Sequence, residues 1–139
     1  MKYVAGFMFN LARTEVALIR KTKPEWQKGF LNGIGGKIEE GECEIDAMCR
    51  EFEEETGLKT YYYDWKHLID LKSKKDWTVS FYYCHQLTND FAGIKTTTEE
   101  DVVIIKVSDL ETENVIPNLR WLIRMCLDDE ILGGEILNK

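Results

Sequence analysis

Prolines are scarce in this 139-residue chain, which has only Pro24 and Pro117, so neither a proline-rich linker nor an extended polyproline segment divides it. Histidines are as few, His67 and His85, and none of the four cysteines, Cys43, Cys49, Cys84 and Cys126, forms a Cys-x-x-Cys pair. That combination argues against a zinc site or a disulfide scaffold and predicts a reduced, cytoplasmic protein with packing cysteines. No apolar run approaches the roughly 18 residues a membrane span requires, and the N-terminal residues read as a first strand rather than a signal peptide. Basic residues are outnumbered, 18 against 25 acidic, giving a formal net charge of −7. A broad basic face for duplex nucleic acid is therefore not expected, and no membrane partner is either. Repeats and low-complexity tracts are absent.

What is present suits a folded globular domain. Hydrophobic residues make up 44% and charged residues 31%, enough of each for a core and a solvated surface, and residues 1–139 are expected to form one domain. Residues 3–9 and 15–20 read as strands joined by a polar turn near Asn10 and Arg13. A loop follows with Pro24 and Trp26 and runs into Gly33, Gly35 and Gly36. From about Glu44 to Thr56, Ile45, Met48, Cys49 and Phe52 recur at helical spacing, and Gly57 suits the left-handed position beyond the helix end. Residues 61–71 and 77–87 read as strands around a Lys/Ser turn, residues 102–107 as a buried strand, and residues 117–130 as a final helix. Strands mixed with two helices predict an α/β fold.

The first helix carries the chemistry. Glu51, Glu54 and Glu55 lie at i, i+3 and i+4, so they share one face, turned away from the apolar stripe. Like charges so spaced destabilise a bare helix by a few tenths of a kcal/mol per pair. A hard divalent cation such as Mg²⁺, which takes carboxylate oxygens, waters and phosphates, removes that repulsion. It also reconciles an acidic protein with an anionic substrate. An acidic helix face alone is more often simply solvated; the surrounding spacing changes its meaning.

Five residues separate Gly36 from Glu42, and seven more lead to Arg50-Glu51-Phe52; Glu54-Glu55 and Gly57-Leu58 follow. This run resembles the Nudix box, Gly-x5-Glu-x7-Arg-Glu-U-x-Glu-Glu-x-Gly-U with U apolar. Phe52 is bulkier than the usual aliphatic at its position. The resemblance implies an α/β/α sandwich with a mixed sheet and a loop–helix–loop motif. It also implies hydrolysis of a pyrophosphate bond in a nucleoside diphosphate derivative, with Mg²⁺ as cofactor and Mn²⁺ as its substitute. By that likeness Glu51, Glu54, Glu55 and the Gly35 carbonyl are the metal ligands, and Arg50 and Glu42 brace the motif. Glu54, Glu51 and, in the later loop, Glu99 are the catalytic candidates. Glu100 beside Glu99 is acidic as well, and solvation of the loop is an equal reading for both.

Substrate signals are thinner. The segment from Leu31 to Lys37 resembles the MutT-like branch that removes oxidised purine nucleoside triphosphates, where the residue matching Asn32 bonds the base. Asn118 stands where that branch uses an acidic base reader, a departure that bears on oxidised-purine selectivity. Trp26, Phe30 and Tyr83 are candidate stacking surfaces against a packing role, and Arg20, Lys21 and Lys23 candidate phosphate contacts against a solvated loop. ADP-ribose hydrolases often carry a proline where this chain has Ser73, and dinucleoside polyphosphate hydrolases a tyrosine near Lys75 and Asp76. By elimination the expected activity is a (d)NTP pyrophosphohydrolase releasing a nucleoside monophosphate and pyrophosphate. The alternatives are an ADP-ribose or nucleotide-sugar hydrolase, an RNA 5′-end pyrophosphohydrolase, and a non-catalytic nucleotide-sensing module. The expected partner is a small nucleotide, on a monomer or homodimer.

Overall fold

The computed structural model describes residues 1–85, 89–130 and 134–138. Two strands open the chain, β1 (Lys2–Phe9) and β2 (Glu15–Arg20), followed by the short β3 (Leu31–Asn32) and β4 (Ile34–Lys37). Helix α1 (Glu44–Thr56) comes next, then β5 (Lys66–Ser73), β6 (Thr78–His85) and β7 (Val102–Lys106). Helix α2 (Leu119–Cys126) and β8 (Gly134–Asn138) complete the described elements. The strands form one mixed sheet in the order β3-β2-β1-β6-β5-β8, with β4 also paired to β1 and β7 to β2. β1 runs parallel to β6 and antiparallel to β2 and β4, so it is the axis from which the sheet forks.

Strand alternation sorts the core into two layers. Ala5, Phe7 and Phe9 of β1, Val16 and Leu18 of β2, and Phe81 of β6 face α2, meeting Leu119, Leu122, Ile123 and Cys126. The alternate residues Val4, Met8, Ala17, Ile19, Tyr82 and Cys84 face α1, meeting Ala47, Met48 and Phe52. This is the expected layered α/β architecture, a helix on each face of a mixed sheet. Full burial of each large side chain contributes roughly 1.5–3 kcal/mol. Phe52 has its own socket: it is fully buried and meets Trp65 edge-to-face, centroids 5.0 Å apart. Gly57 takes the left-handed conformation at φ 76° and donates its N–H to the Glu53 carbonyl, ending α1 as expected.

Four local expectations give way. Residues 62–64 form a 3-10 turn rather than strand, because the Asp64 carboxylate accepts the Tyr61 N–H at 2.8 Å and draws the backbone into a turn. Gly35 and Gly36, read as loop, belong to β4, where β1 is close enough that strand pairing overrides poor β-propensity. Helix α2 is shorter than residues 117–130: Pro117 and Asn118 form the turn before it, and Asp128 and Asp129 are unfavourable at a helix C-terminus. β8, not expected at all, pairs in parallel with β5. Residues 86 and 87 of the expected second long strand lie outside the described residues. No helix among the described residues is long and apolar enough to cross a membrane.

Candidate functional site

The site begins where β4 passes beneath α1. Gly35 pairs with Ala5 so tightly that a Cβ there would fall 1.9 Å from the Val4 carbonyl oxygen. At Gly36 a Cβ would fall 2.5 Å from the carboxyl carbon of Glu51. Only a bare backbone lets the Glu51 carboxylate lie directly over β4. The sequence reading put Gly35 and Gly36 at the end of a loop; the structure makes them a floor.

Arg50 organises the next layer. Its Nε and Nη2 donate to the two carboxylate oxygens of Glu42 at 2.7 and 2.9 Å, a bidentate fork. Nη2 also donates to the Lys37 carbonyl at 3.1 Å, joining the helix to the end of β4. Nη1 donates to Glu51 Oε1 at 2.9 Å and reaches Glu54 at 3.4 Å. The Arg50 guanidinium holds the Glu42 carboxyl down at about 2, well below its ordinary 4.5. The guanidinium's own pKa is raised, first by Glu42.

The remaining carboxylates lack such a match. Burial pushes Glu51 upward despite its bond to Arg50, with the charges of Glu54 and Glu55 adding to the rise. Burial also raises Glu55, and the nearby charge of Glu100 adds to it, although Thr98 Oγ1 donates to Glu55 Oε2 at 2.9 Å. Glu54 is the open one, its side chain 55% exposed. Thr97 donates to the Glu54 backbone carbonyl and ties the 95–101 loop to the helix. Among the described residues, no three acidic, histidine or cysteine side chains are drawn together tightly enough to form a ready metal cluster. Glu51 turns instead to Arg50, and Glu55 to Thr98.

Of the two loop glutamates, Glu99 points outward, 73% exposed, 3.6 Å from Lys23. Glu100 is buried and accepts from Lys21 Nζ at 3.0 Å, the Thr22 N–H at 2.6 Å and Thr22 Oγ1 at 3.0 Å. Burial raises its carboxyl, but these donors outweigh burial and bring it below the ordinary range. The structure thus brings Glu100, rather than Glu99, beside Glu55.

A cavity of about 450 Å³ opens at the edge of this floor. Its lining joins Gly35 and Gly36 to Trp26, Gln27, Asn32, Asn118 and Lys21, with Trp77, Val79, Phe81 and Ile116 as an apolar wall. Trp26 stands at the rim, 68% exposed. Asn32 Nδ2 donates to Gln27 Oε1 at 3.0 Å, while its Oδ1 accepts the Gly33 N–H at 2.8 Å. Asn118 occupies the N-cap position of α2 without capping it, and its Oδ1 is buried with no hydrogen-bond partner. A buried acceptor without a partner in the protein is rare and calls for one, whether ordered water or a bound donor. Other candidates are engaged elsewhere. Arg20 donates to the Gly29 carbonyl at 3.1 Å, Lys23 faces Glu99, and Phe30 and Tyr83 pack against the core.

Trp77 and Thr98 were not singled out in the sequence. Trp77, Val79 and Phe81 alternate along the same face, so period-2 patterning held a signal for that wall. Thr98 carried none, because its partner Glu55 is brought to it by the approach of a distant loop; the Gln27 contact is local, with Asn32 five residues on.

The NUDIX domain family model matches residues 2–125. Solved structures similar to this chain include a MutT from work on Aliivibrio salmonicida and Vibrio cholerae, 22% identical, covering 89% of this chain and 98% of that one at a TM-score of 0.72. The MutT protein of Bacillus halodurans is 16% identical, covering 98% and 88% at 0.71. The NUDIX domain of Shewanella oneidensis NrtR, solved with ADP ribose, is 16% identical, covering 92% and 88% at 0.73. No curated protein matches the chain.

Proposed function

The chain belongs to the NUDIX family of hydrolases acting on nucleoside diphosphate derivatives, and from that premise we propose that it is a Mg²⁺-dependent (d)NTP pyrophosphohydrolase. It releases a nucleoside monophosphate and pyrophosphate. One observation carries the reading: the Glu51 carboxylate lies over the bare β4 backbone, and the same Gly35 and Gly36 line a cavity whose wall also holds Asn118 with its buried amide oxygen.

The donor set fits a hard divalent cation. Glu51, Glu54, Glu55 and the Gly35 carbonyl offer only oxygen, and Glu51 and Glu55 are raised, first by burial and then by the neighbouring carboxylates, so that a cation beside them would be welcome. Bound there, the cation supplies neutralisation of the diphosphate charge and a lowered pKa for the attacking water. The chain's own residues do the rest. Arg50, held by Glu42 and the Lys37 carbonyl, fixes the pitch of Glu51 and Glu54 above β4. Glu54, the most open of the three, takes the proton of the attacking water. Thr98 holds Glu55, and Lys21, braced by Glu100, faces the phosphates from the cavity wall. Asn32 and Asn118 meet the edge of the base, and Trp26 covers its face.

An ADP-ribose derivative is the second reading, supported by the likeness to the NUDIX domain of NrtR solved with that ligand. One assay separates the two. Purified protein with Mg²⁺ is offered nucleoside triphosphates, ADP-ribose, nucleotide sugars and a 5′-triphosphorylated RNA, and products are identified by chromatography. Monophosphate plus pyrophosphate from a triphosphate supports the first reading. AMP plus ribose 5-phosphate, with triphosphates untouched, replaces it with the second. Binding without turnover of any of them turns the domain into a sensor.

A further inference from the structure

We propose that Gln27 is a positioning residue for base selection: together with the Gly33 N–H, it locks the Asn32 amide in one orientation toward the nucleobase. The inference rests on the reading of the 450 Å³ cavity as the nucleotide site. Asn32 is held from both ends, with Oδ1 accepting from Gly33 and Nδ2 donating to Gln27 Oε1. An asparagine amide can otherwise flip and present either a donor or an acceptor, so an unlocked Asn32 reads either pattern. Gln27 and Asn32 both line the cavity, so the bond between them lies in its wall.

Gln27 is placed firmly enough for this role. It closes the 3-10 turn Glu25–Gln27, its N–H donating to the Pro24 carbonyl and its own carbonyl accepting the Phe30 N–H, both at 2.9 Å. On the α2 side the buried Asn118 Oδ1 supplies an acceptor. The cavity therefore offers the oriented Asn32 amide, which keeps one N–H and one lone pair free, on one side and the Asn118 acceptor on the other. A base fits when its edge matches the first and brings an N–H to the second.

The test is a double-mutant cycle on Gln27→Ala and Asn32→Ala, with Gln27→Glu as the conservative variant. Each is assayed across the four common nucleoside triphosphates, with the ratio of kcat/KM between best and worst base as the readout. Gln27→Ala is expected to raise KM for the best base about tenfold with kcat within about threefold, and to flatten the ratio. The double variant should be no flatter than Asn32→Ala alone, since one residue acts through the other. Gln27→Glu retains an acceptor for Asn32 and should raise KM for every base alike, keeping the ratio. Multiplying effects in the double variant, or an unchanged ratio in Gln27→Ala, overturn the proposal. A second arm needs no catalysis: the Asn32 side-chain amide protons, followed by NMR in the nucleotide-free protein, should lose protection in Gln27→Ala and keep it in Gln27→Glu. If they do not respond, the inference fails even when triphosphates are hydrolysed. If wild type spares triphosphates, the functional reading fails separately, and the same ratio is taken between adenine and guanine members of the nucleotide sugars it cleaves, where an unresponsive ratio again overturns the inference.

Discussion

Glu42 and Glu51 bond the same guanidinium, yet their carboxyls move in opposite directions, Glu42 down to about 2 and Glu51 upward. The difference is first in burial, which is what raises Glu51, and then in the partners that lower Glu42. Glu42 receives both arms of a fork and a backbone N–H from Glu39, which answers its charge in full. Glu51 receives one shared N–H, is more deeply enclosed, and faces two further glutamates. One arginine therefore divides the motif into a side where charge is satisfied and a side where it is held in surplus. The satisfied side holds shape; on the proposed reading, the other side takes the cation.

The bluntest way to break that division removes its floor. Gly35→Ala puts a Cβ against the Val4 carbonyl and should abolish soluble folded protein, read by expression and circular dichroism. Gly36→Ala meets only the movable end of Glu51, so it should fold while turnover falls. Equal folding of both, with equal activity, would remove the floor from the account.

Next come the surplus carboxylates. Glu54→Gln or Glu55→Gln should lower kcat by at least about a hundredfold, close to 3 kcal/mol of barrier, while the protein stays folded. Because burial raises Glu55, its neutral replacement should match or slightly exceed the wild-type melting temperature at pH 7. Near-normal turnover in both variants would refute their assignment. Arg50→Ala acts on both sides at once. Stripping the partner from the enclosed Glu42 should destabilise the fold by about 2 kcal/mol, and activity should fall with it. A wild-type melting curve would show that the fork holds nothing.

The smallest effect is in acid. Glu42 is depressed below its ordinary 4.5, so its stabilisation is complete above that value and fades as pH falls toward about 2. Glu51 and Glu55 are raised, so the folded state takes up their protons first and gains stability as pH drops through their elevated range. Glu42→Gln should flatten the loss of denaturation free energy below pH 4.5, whereas Glu55→Gln should remove a gain above it. Urea titrations at stepped pH read both; identical profiles would dissolve the comparison.

Much of the motif was legible beforehand because it is local. The i, i+3, i+4 spacing sets Glu51, Glu54 and Glu55 on one face whatever the rest of the chain does, and the left-handed Gly57 follows from the helix end. What stayed hidden depended on distant approach. That Glu100 turns in while Glu99 turns out is decided by Lys21 and Thr22, some eighty residues earlier. The strand character of Gly35 and Gly36 comes from β1, against their own propensity. Tyr61, Tyr62 and Tyr63 favour strand by composition, and a single Asp64 carboxylate overrules them. Arg20 and Lys23 have the right charge for phosphate, but Gly29 and Glu99 hold them. No residue type announces such engagements.

The fork in the sheet has a consequence for what the molecule measures. Asn32 ends the branch paired to β2, Ile34 begins the branch paired to β1, and Gly33 alone joins them. From Asn32 to Gly36 is four residues, at most about 14 Å of chain. On the proposed reading, base and scissile phosphorus are held at the two ends of one short covalent yardstick. A ligand whose sugar or phosphate spacing differs cannot be met by stretching it. Whatever lies beyond the second phosphate escapes this measure, so tolerance belongs to the leaving side and strictness to the nucleoside side.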